Sequence, residues 1–163
     1  MTDQQLMDEA LKLAERAMTL GEVPIAAVIA RENKIIGWGW NELNAKRDKT
    51  MHAEMVAFRD AAGRYPIDAT DLVLVSTLEP CVMCYGASLL SGVSRIIYAL
   101  SAPADGGLAR VKPPQSPETQ VPKVSAGVQR DAALRQFQRW LDGHPQQDAQ
   151  RDYVSQLLRL DGQ

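Results

Sequence analysis

The chain has 163 residues, of which 45% are hydrophobic and 23% are charged, so it is long enough for one domain with a substantial core and too short for two typical ones. Its net charge of -2 argues against a dedicated nucleic-acid binder, although a local basic patch would still allow a nucleic-acid substrate. Its two cysteines lie three positions apart, which excludes a disulfide framework and favours metal or redox chemistry.

The first half of the chain alternates predicted helices and strands. Residues 1–5 lack the basic start and apolar run of a signal peptide, and no later stretch is apolar over a transmembrane length, so we expect a cytoplasmic protein without a membrane segment. Thr2 and Gln5 fit a capping box, and apolar residues then recur at helical spacing up to Gly21, which predicts a first helix. The next predicted elements are strands over 25–29 and 35–40, a polar loop over 41–50, a helix from 51 or 52 to 63, and a central strand over 72–76.

The second half continues this alternation and ends in helices. A helix is predicted from Cys81 to Gly92, and a strand over 95–99 follows it. Residues 100–122 are rich in Pro and Gly and predict a long loop, of the kind that is often functional. The remaining predictions are a short edge strand over 123–128 and helices over 130–141 and 148–160. Strands alternating with helices predict a three-layer α/β/α sandwich, built as a single domain over residues 1–163.

Two short motifs carry the residues that bind metals and move protons. They are His52-Ala53-Glu54 and Pro80-Cys81-Val82-Met83-Cys84. Cys81 and Cys84 lie one helical turn apart at the start of a predicted helix, where the helix dipole favours thiolates. His52 begins the other central helix, and strands that run in parallel bring the helices after them to the same edge of the sheet. We therefore expect one imidazole and two thiolates to meet at one Zn²⁺ ion.

Three protein ligands leave one position on the metal open. The chain has no third cysteine, and its other histidine, His144, lies in a Gly-His-Pro turn where we expect an exposed loop residue. An open fourth position on zinc is typical of catalytic sites and holds a water or hydroxide, because zinc lowers the pKa of the bound water to about 7. Glu54 is two residues from His52, which is an awkward spacing for two ligands on a helix, so we predict that it moves protons rather than binds the metal.

The two motifs together are the signature of zinc nucleobase deaminases, and the chain resembles the cytidine and deoxycytidylate deaminase-like superfamily. Within it, the chain is similar to the tRNA adenosine deaminase and guanine deaminase branches. The stretches that carry this resemblance are Gly21-Glu22-Val23-Pro24, Gly39-Trp40-Asn41, Thr50-Met51-His52-Ala53-Glu54 and Thr77-Leu78-Glu79-Pro80-Cys81-Val82-Met83-Cys84-Tyr85-Gly86-Ala87. The resemblance is good over about residues 5 to 100 and poor beyond them, where 123–163 is a divergent helical region.

The resemblance implies a fold, a reaction and a set of roles. The fold is an α/β/α sandwich around a five-stranded mixed sheet, and these branches are generally homodimers. His52, Cys81 and Cys84 would bind one zinc ion, and Glu54 would be the general acid and base. Asn41 would hydrogen-bond the base, and the backbone of Ala53 would help to hold its ring. The implied reaction is hydrolytic, since water replaces an exocyclic amine and ammonia leaves.

The sequence is less informative about the substrate. Met51 stands where both branches commonly have Ala, and Asp48-Lys49-Thr50 differs from the Asp-Pro-Thr of many adenosine-acting members. We predict a free nucleobase or nucleoside, of purine type, as the small-molecule substrate. The alternative is conversion of adenosine to inosine in tRNA, which the net charge does not support. A second alternative is a zinc-stabilised binding module without catalysis, which the presence of Glu54 disfavours.

Overall fold

A computed structural model describes residues 1–161 and contains the five-stranded mixed sheet that the resemblance implies. The strands are β1 (Ala26–Arg31), β2 (Lys34–Trp40), β3 (Leu72–Leu78), β4 (Val93–Leu100) and β5 (Lys123–Ala126). Their order across the sheet is β2-β1-β3-β4-β5. Strand β1 is antiparallel to both of its neighbours, whereas β3, β4 and β5 are parallel to one another. Strands β2 and β3 therefore run in the same direction and end at the same edge of the sheet.

Helices cover both faces of the sheet. They are α1 (Asp3–Thr19), α2 (Leu43–Lys46), α3 (Ala53–Ala61), α4 (Val82–Leu90), α5 (Arg130–Asp142) and α6 (Ala149–Asp161). The buried sides of α1, α5 and α6 form one hydrophobic cluster with the sheet, and those of α3 and α4 form a second cluster. This arrangement confirms the predicted three-layer sandwich. No helix within residues 1–161 is long and apolar enough to cross a membrane.

The predicted elements are present, with adjusted ends. The capping box is formed as predicted, since Thr2 Oγ1 accepts from Gln5 N at 3.2 Å and Gln5 Oε1 accepts from Thr2 N at 2.8 Å. Strand β4 begins two residues earlier than predicted, and β5 ends at Ala126. Residues 101–122 form the predicted long loop.

One element was not predicted. Helix α2 is a single turn inside the stretch 41–50, which we expected to be loop throughout. The buried carboxyl group of Glu22 accepts a hydrogen bond from Ala45 N at 2.9 Å, so a partner from the α1–β1 turn stabilises this short helix. Such a tertiary contact leaves no periodic pattern in the local sequence.

Close packing of α3 on β2 fixes where α3 begins. Gly37 and Gly39 lie on β2 directly beneath α3. A Cβ atom at Gly39 would lie 2.2 Å from Ala53 O and 2.5 Å from Ala57 N. The absence of side chains at these positions therefore allows the first turn of α3 to lie directly against the end of β2.

Candidate zinc centre and its pocket

The three predicted ligands come together at the edge where β2 and β3 end. His52 is the N-cap residue of α3, Cys81 is the N-cap residue of α4, and Cys84 lies in the first turn of α4. The Nδ1 atom of His52 is 3.4 Å from Cys81 Sγ and 3.7 Å from Cys84 Sγ. The ligand atoms of all three residues lie within 4.8 Å of one another.

These separations fit a tetrahedral zinc ion. Zinc bonds of about 2.1 Å to nitrogen and about 2.3 Å to sulfur place neighbouring ligand atoms about 3.5 to 3.8 Å apart. The two observed distances of 3.4 and 3.7 Å fall close to that range. His52, Cys81 and Cys84 can therefore hold a zinc ion with little rearrangement. Within residues 1–161 this ligand group contains three members and leaves Glu54 outside it.

The pKa values of the three ligand side chains are shifted by hydrogen bonds among them. The Cys84 thiol and the His52 ring hydrogen-bond to Cys81, and this lowers the pKa of Cys81 to about 4. Its thiolate in turn raises the pKa of His52. The pKa of Cys84 is raised, because its proton is shared with Cys81 and because the side chain is buried. The site thus stabilises a thiolate, which is the form of cysteine that binds metals.

Glu54 is buried beside the ligand group. It lies in the first turn of α3 with 3% of its surface exposed, and Ser76 Oγ donates a hydrogen bond to its Oε1 at 3.2 Å. Burial raises the pKa of this carboxyl group, and the Cys81 thiolate acts in the same direction. A carboxyl group with a raised pKa can exchange a proton near neutral pH, which an exposed glutamate does poorly.

A cavity of about 600 Å³ opens onto this site. Its lining residues come from the α1–β1 turn, the stretch after β2, both motifs, the long loop and α6; they are Val23, Ile25, Asn41, Leu43, Asn44, Arg47, Asp48, Lys49, His52, Glu54, Leu78, Glu79, Cys81, Asp105, Ala149, Gln150 and Tyr153. Asn41 is 4% exposed and lies in this lining. Ala53 is fully buried under β2 and is not one of the lining residues.

Several lining residues were not predicted from the sequence, and among them are Asp105, Gln150 and Tyr153. The long loop is tied to the second motif, since Gly107 N donates to Pro80 O at 2.8 Å, and this contact brings Asp105 to the cavity. From α6, Tyr153 donates to Asp105 Oδ1 at 3.3 Å. Gln150 accepts from Asn44 Nδ2 at 3.0 Å. The one available signal was the Pro-rich and Gly-rich composition of the loop, whereas α6 gave none.

Met51 is not among the cavity-lining residues, and its sulfur accepts a hydrogen bond from Arg59 Nη1 at 3.5 Å. One expectation about a single residue needs correction. His144 is not the exposed residue we expected. Its side chain is 19% exposed, stacks on the Trp140 ring at 4.2 Å and hydrogen-bonds Asp148 at 2.8 Å, so it holds the α5–α6 turn.

Comparison with known proteins places the chain in a family. Residues 1–100 match the family model of the cytidine and deoxycytidylate deaminase zinc-binding region. This match covers more than half of the chain and includes both motifs. The chain therefore belongs to the cytidine and deoxycytidylate deaminase family.

Individual relatives cover different parts of the chain. It is 42% identical over 132 residues to a tRNA(Ile)-lysidine synthase of Deinococcus deserti, which is 79% of this chain and 25% of that protein. It is 41% identical over 102 residues to a tRNA-specific adenosine deaminase of Buchnera aphidicola subsp. Schizaphis graminum, which is 61% of this chain and 66% of that protein. The matched region thus spans between a quarter and two thirds of these relatives.

Solved structures share the fold. One comes from work on A-to-I editing by tRNA:A34 deaminases at the wobble position of transfer RNA; it has a TM-score of 0.70 and 26% identity, and the match covers 81% of this chain and 98% of that chain. Another is a guanine deaminase from Nitrosomonas europaea, with a TM-score of 0.68 and 25% identity over 84% of this chain and 83% of that chain. Both likenesses agree with the observed five-stranded mixed sheet.

Proposed function

We propose that this chain is a zinc-dependent hydrolytic deaminase, which replaces the exocyclic amine of a nucleobase with oxygen and releases ammonia. The observation that carries the proposal is a buried carboxyl group with a raised pKa beside three metal-ligand atoms at tetrahedral spacing. Both face a cavity of about 600 Å³. A purely structural zinc site would need a fourth protein ligand and would have no use for Glu54.

The proposed roles follow from where the side chains lie. His52, Cys81 and Cys84 would hold the metal, which when bound supplies a Lewis acid and lowers the pKa of water. Glu54 takes a proton from the attacking water and delivers it to the departing amine, so that one water is consumed and one ammonia is released. Asn41 hydrogen-bonds the base from the cavity wall. The resemblance also gives the backbone of Ala53 a part in holding the ring, although Ala53 is buried and does not line the cavity.

Adenosine in tRNA is the substrate that the relatives favour. The tRNA-specific adenosine deaminase of Buchnera is 41% identical over 61% of this chain, whereas the guanine deaminase structure is 25% identical over 84% of it. This difference favours adenosine in tRNA over a free base or nucleoside as the substrate. A free aminopurine is the second candidate, favoured by the Asp105 carboxylate at the cavity, which can accept hydrogen bonds from further N–H groups of such a base.

Activity on a panel of substrates tests both candidates. Ammonia release would be measured with zinc-loaded protein and a tRNA anticodon stem-loop, adenosine, adenine, guanine, guanosine, cytosine and cytidine. Faster release from the stem-loop supports the tRNA candidate, and faster release from guanine or adenine supports the second. Glu54→Ala should abolish release while Glu118→Ala, which removes an exposed carboxylate of the long loop, should not. Zinc-loaded protein that acts on none of these compounds would contradict the proposal.

We also propose that the chain acts as one cytoplasmic deaminase domain over residues 1–163 and pairs as a homodimer through α4. This helix is apolar on its outer side, where Val82 and Leu90 are 49% and 57% exposed. Val121 is 60% exposed and adjoins Gln120, whose N–H group donates to Leu89 O at the end of α4. Exposed apolar side chains grouped in this way are typical of an interface.

Light scattering tests the homodimer. The parent protein should have twice the mass of one chain, and Leu90→Asp should halve that mass because a carboxylate cannot be buried unpaired in an apolar interface. Asp142→Leu is a control that changes an exposed residue of α5 and should leave the mass unchanged. A parent protein that is monomeric at all concentrations would contradict the proposed pairing.

A further inference from the structure

The mouth of the cavity carries a group of basic side chains that no role proposed above uses. Lys46 is the last residue of α2, and Arg47 and Lys49 lie between α2 and the His52 motif. All three residues are exposed. Arg47 and Lys49 line the same cavity as His52 and Glu54. These charges stand out in a chain whose net charge is -2.

Four acidic residues line the same cavity, namely Asp48, Glu54, Glu79 and Asp105. No ion pair within residues 1–161 includes Lys46, Arg47 or Lys49. Asp48 Oδ1 instead accepts from both the backbone N–H and the hydroxyl group of Thr50, each at 2.8 Å. Asp105 Oδ1 accepts a hydrogen bond from the Tyr153 hydroxyl group at 3.3 Å. The cations at the mouth are therefore available to a ligand.

The backbone at Arg47 gives a second, independent observation. Arg47 ends α2 in the left-handed conformation, with φ of 52° and ψ of 40°. Glycine and asparagine adopt this conformation readily at the end of a helix, whereas a long side chain with a Cβ atom is disfavoured there. Glu32, Asn33 and Gln129 share this conformation, but among these four non-glycine residues of the described chain only Arg47 lines the cavity. A residue with this backbone conformation at a cavity is a candidate for a functional position.

We propose that Arg47 and Lys49 form a phosphate-binding subsite at the mouth of the cavity, which holds a phosphate group next to the target base. The proposal rests on the deaminase function proposed above. The guanidinium group of Arg47 can bind two phosphate oxygens at once, and Lys49 adds a point charge. The phosphate can belong to a nucleoside monophosphate or to the backbone of an RNA that carries the base.

Binding measurements test this subsite without requiring turnover. The probe is an anticodon-sized RNA stem-loop with a fluorescent label, followed by anisotropy on the zinc-loaded full chain, with adenosine 5′-monophosphate and adenosine as competitors. We expect Arg47→Gln/Lys49→Gln to weaken RNA binding about tenfold or more at low salt. The magnitude of the slope of log affinity against log salt should fall by about 0.7, the value for the loss of one phosphate contact on a single strand.

A charge-matched control separates a subsite from a general effect of charge. Lys34→Gln/Arg135→Gln also removes two cations, one at the start of β2 away from the site and one on α5, and neither residue lines the cavity. It should weaken RNA binding less than about twofold. Equal losses in the two double variants, or no dependence of any phosphate-bearing ligand on Arg47 and Lys49, would overturn the proposal.

The competitors identify the source of the phosphate. If adenosine 5′-monophosphate displaces the probe better than adenosine and this advantage disappears in Arg47→Gln/Lys49→Gln, a mononucleotide is sufficient. If only RNA depends on the two residues, the phosphate belongs to an RNA backbone. Either result supports the subsite. The binding measurement does not depend on ammonia release, so it remains informative if the chain has no deaminase activity.

A single glycine substitution distinguishes ligand binding from a structural role. Arg47→Gly relieves the left-handed backbone conformation and removes the charge in one change. We expect a melting temperature at or above that of the parent together with RNA affinity lowered severalfold. A melting temperature that falls while RNA affinity stays unchanged would show that Arg47 serves the fold, and would overturn its assignment.

Discussion

Gly39→Ala adds one methyl group on β2, and we expect it to impair zinc binding by displacing the start of α3. A Cβ atom at this position would lie 2.2 Å from Ala53 O, whereas ordinary contact begins at 3.4 Å. The backbone of α3 would therefore have to move away by roughly 1.2 Å, the difference of these two distances. Ala53 lies between His52 and Glu54 in the chain, so the metal ligand and the carboxyl group would both be displaced.

The size of this shift sets the expected losses. If His52 moves by the full amount, its Nδ1 atom lies up to about 4.6 Å from Cys81 Sγ instead of 3.4 Å, well beyond the spacing that tetrahedral zinc allows. Overpacking of this kind costs about 1 to 3 kcal/mol of folding stability. A misplacement of about 1 Å at a catalytic group lowers activity by about a hundredfold. We therefore expect loss of both zinc and activity in a protein that still folds.

Three measurements on Gly39→Ala would be read together. They are zinc per chain after dialysis against a weak chelator, ammonia release from the best substrate, and the free energy of unfolding in urea. Gly143→Ala is the control, because its added Cβ atom would have its nearest neighbour at 3.4 Å, at the end of α5. Zinc content and activity in Gly39→Ala within about twofold of this control would refute the reasoning that packing on β2 positions the site.

Three further substitutions address the site itself. Glu54→Gln should lower kcat by about a hundredfold to ten-thousandfold while zinc content stays at the parent level, since the amide cannot exchange the proton; kcat within tenfold of the parent would contradict this role. Cys84→Ser should lower zinc per chain in metal analysis, and unchanged zinc would count against Cys84 as a ligand. Asp105→Asn should raise the melting temperature at pH 7, because burial raises the pKa of this carboxyl group and so makes its ionised form unfavourable in the folded state. Between the ordinary pKa of 3.8 and the raised pKa, the folded protein binds more protons than the unfolded chain, so the free energy of unfolding of the parent falls as pH rises through this window. The gain in melting temperature of Asp105→Asn should therefore vanish below the window. A lower melting temperature of the variant at pH 7 would contradict this assignment.

The parts of the site that were predictable lie on regular elements. His52, Cys81 and Cys84 stand at the starts of helices, and α/β topology brings such starts to one edge of the sheet. Their meeting could therefore be inferred from spacing and element order. The position of Glu54 relative to the metal followed from the same helix geometry, because residues two apart do not share a face.

The parts that were not predictable depend on contacts between distant segments. Asp105 reaches the cavity because the long loop bonds back to Pro80, and Tyr153 arrives from α6 across 48 residues of sequence. Helix α2 exists because Glu22 supplies an acceptor for Ala45 N. None of these contacts leaves a local periodic pattern, so this part of the cavity wall could not be predicted from the sequence, whereas the metal centre could.

The most direct test of the account is the source of the oxygen in the product. Zinc-loaded protein would convert its best substrate in water enriched in the heavy oxygen isotope, and the product base would be analysed by mass spectrometry beside Glu54→Gln. We predict one heavy oxygen atom in each product base, one ammonia released for each, and almost no product from Glu54→Gln. Product without heavy oxygen, or equal product from Glu54→Gln, would contradict hydrolytic deamination with Glu54 as the proton carrier.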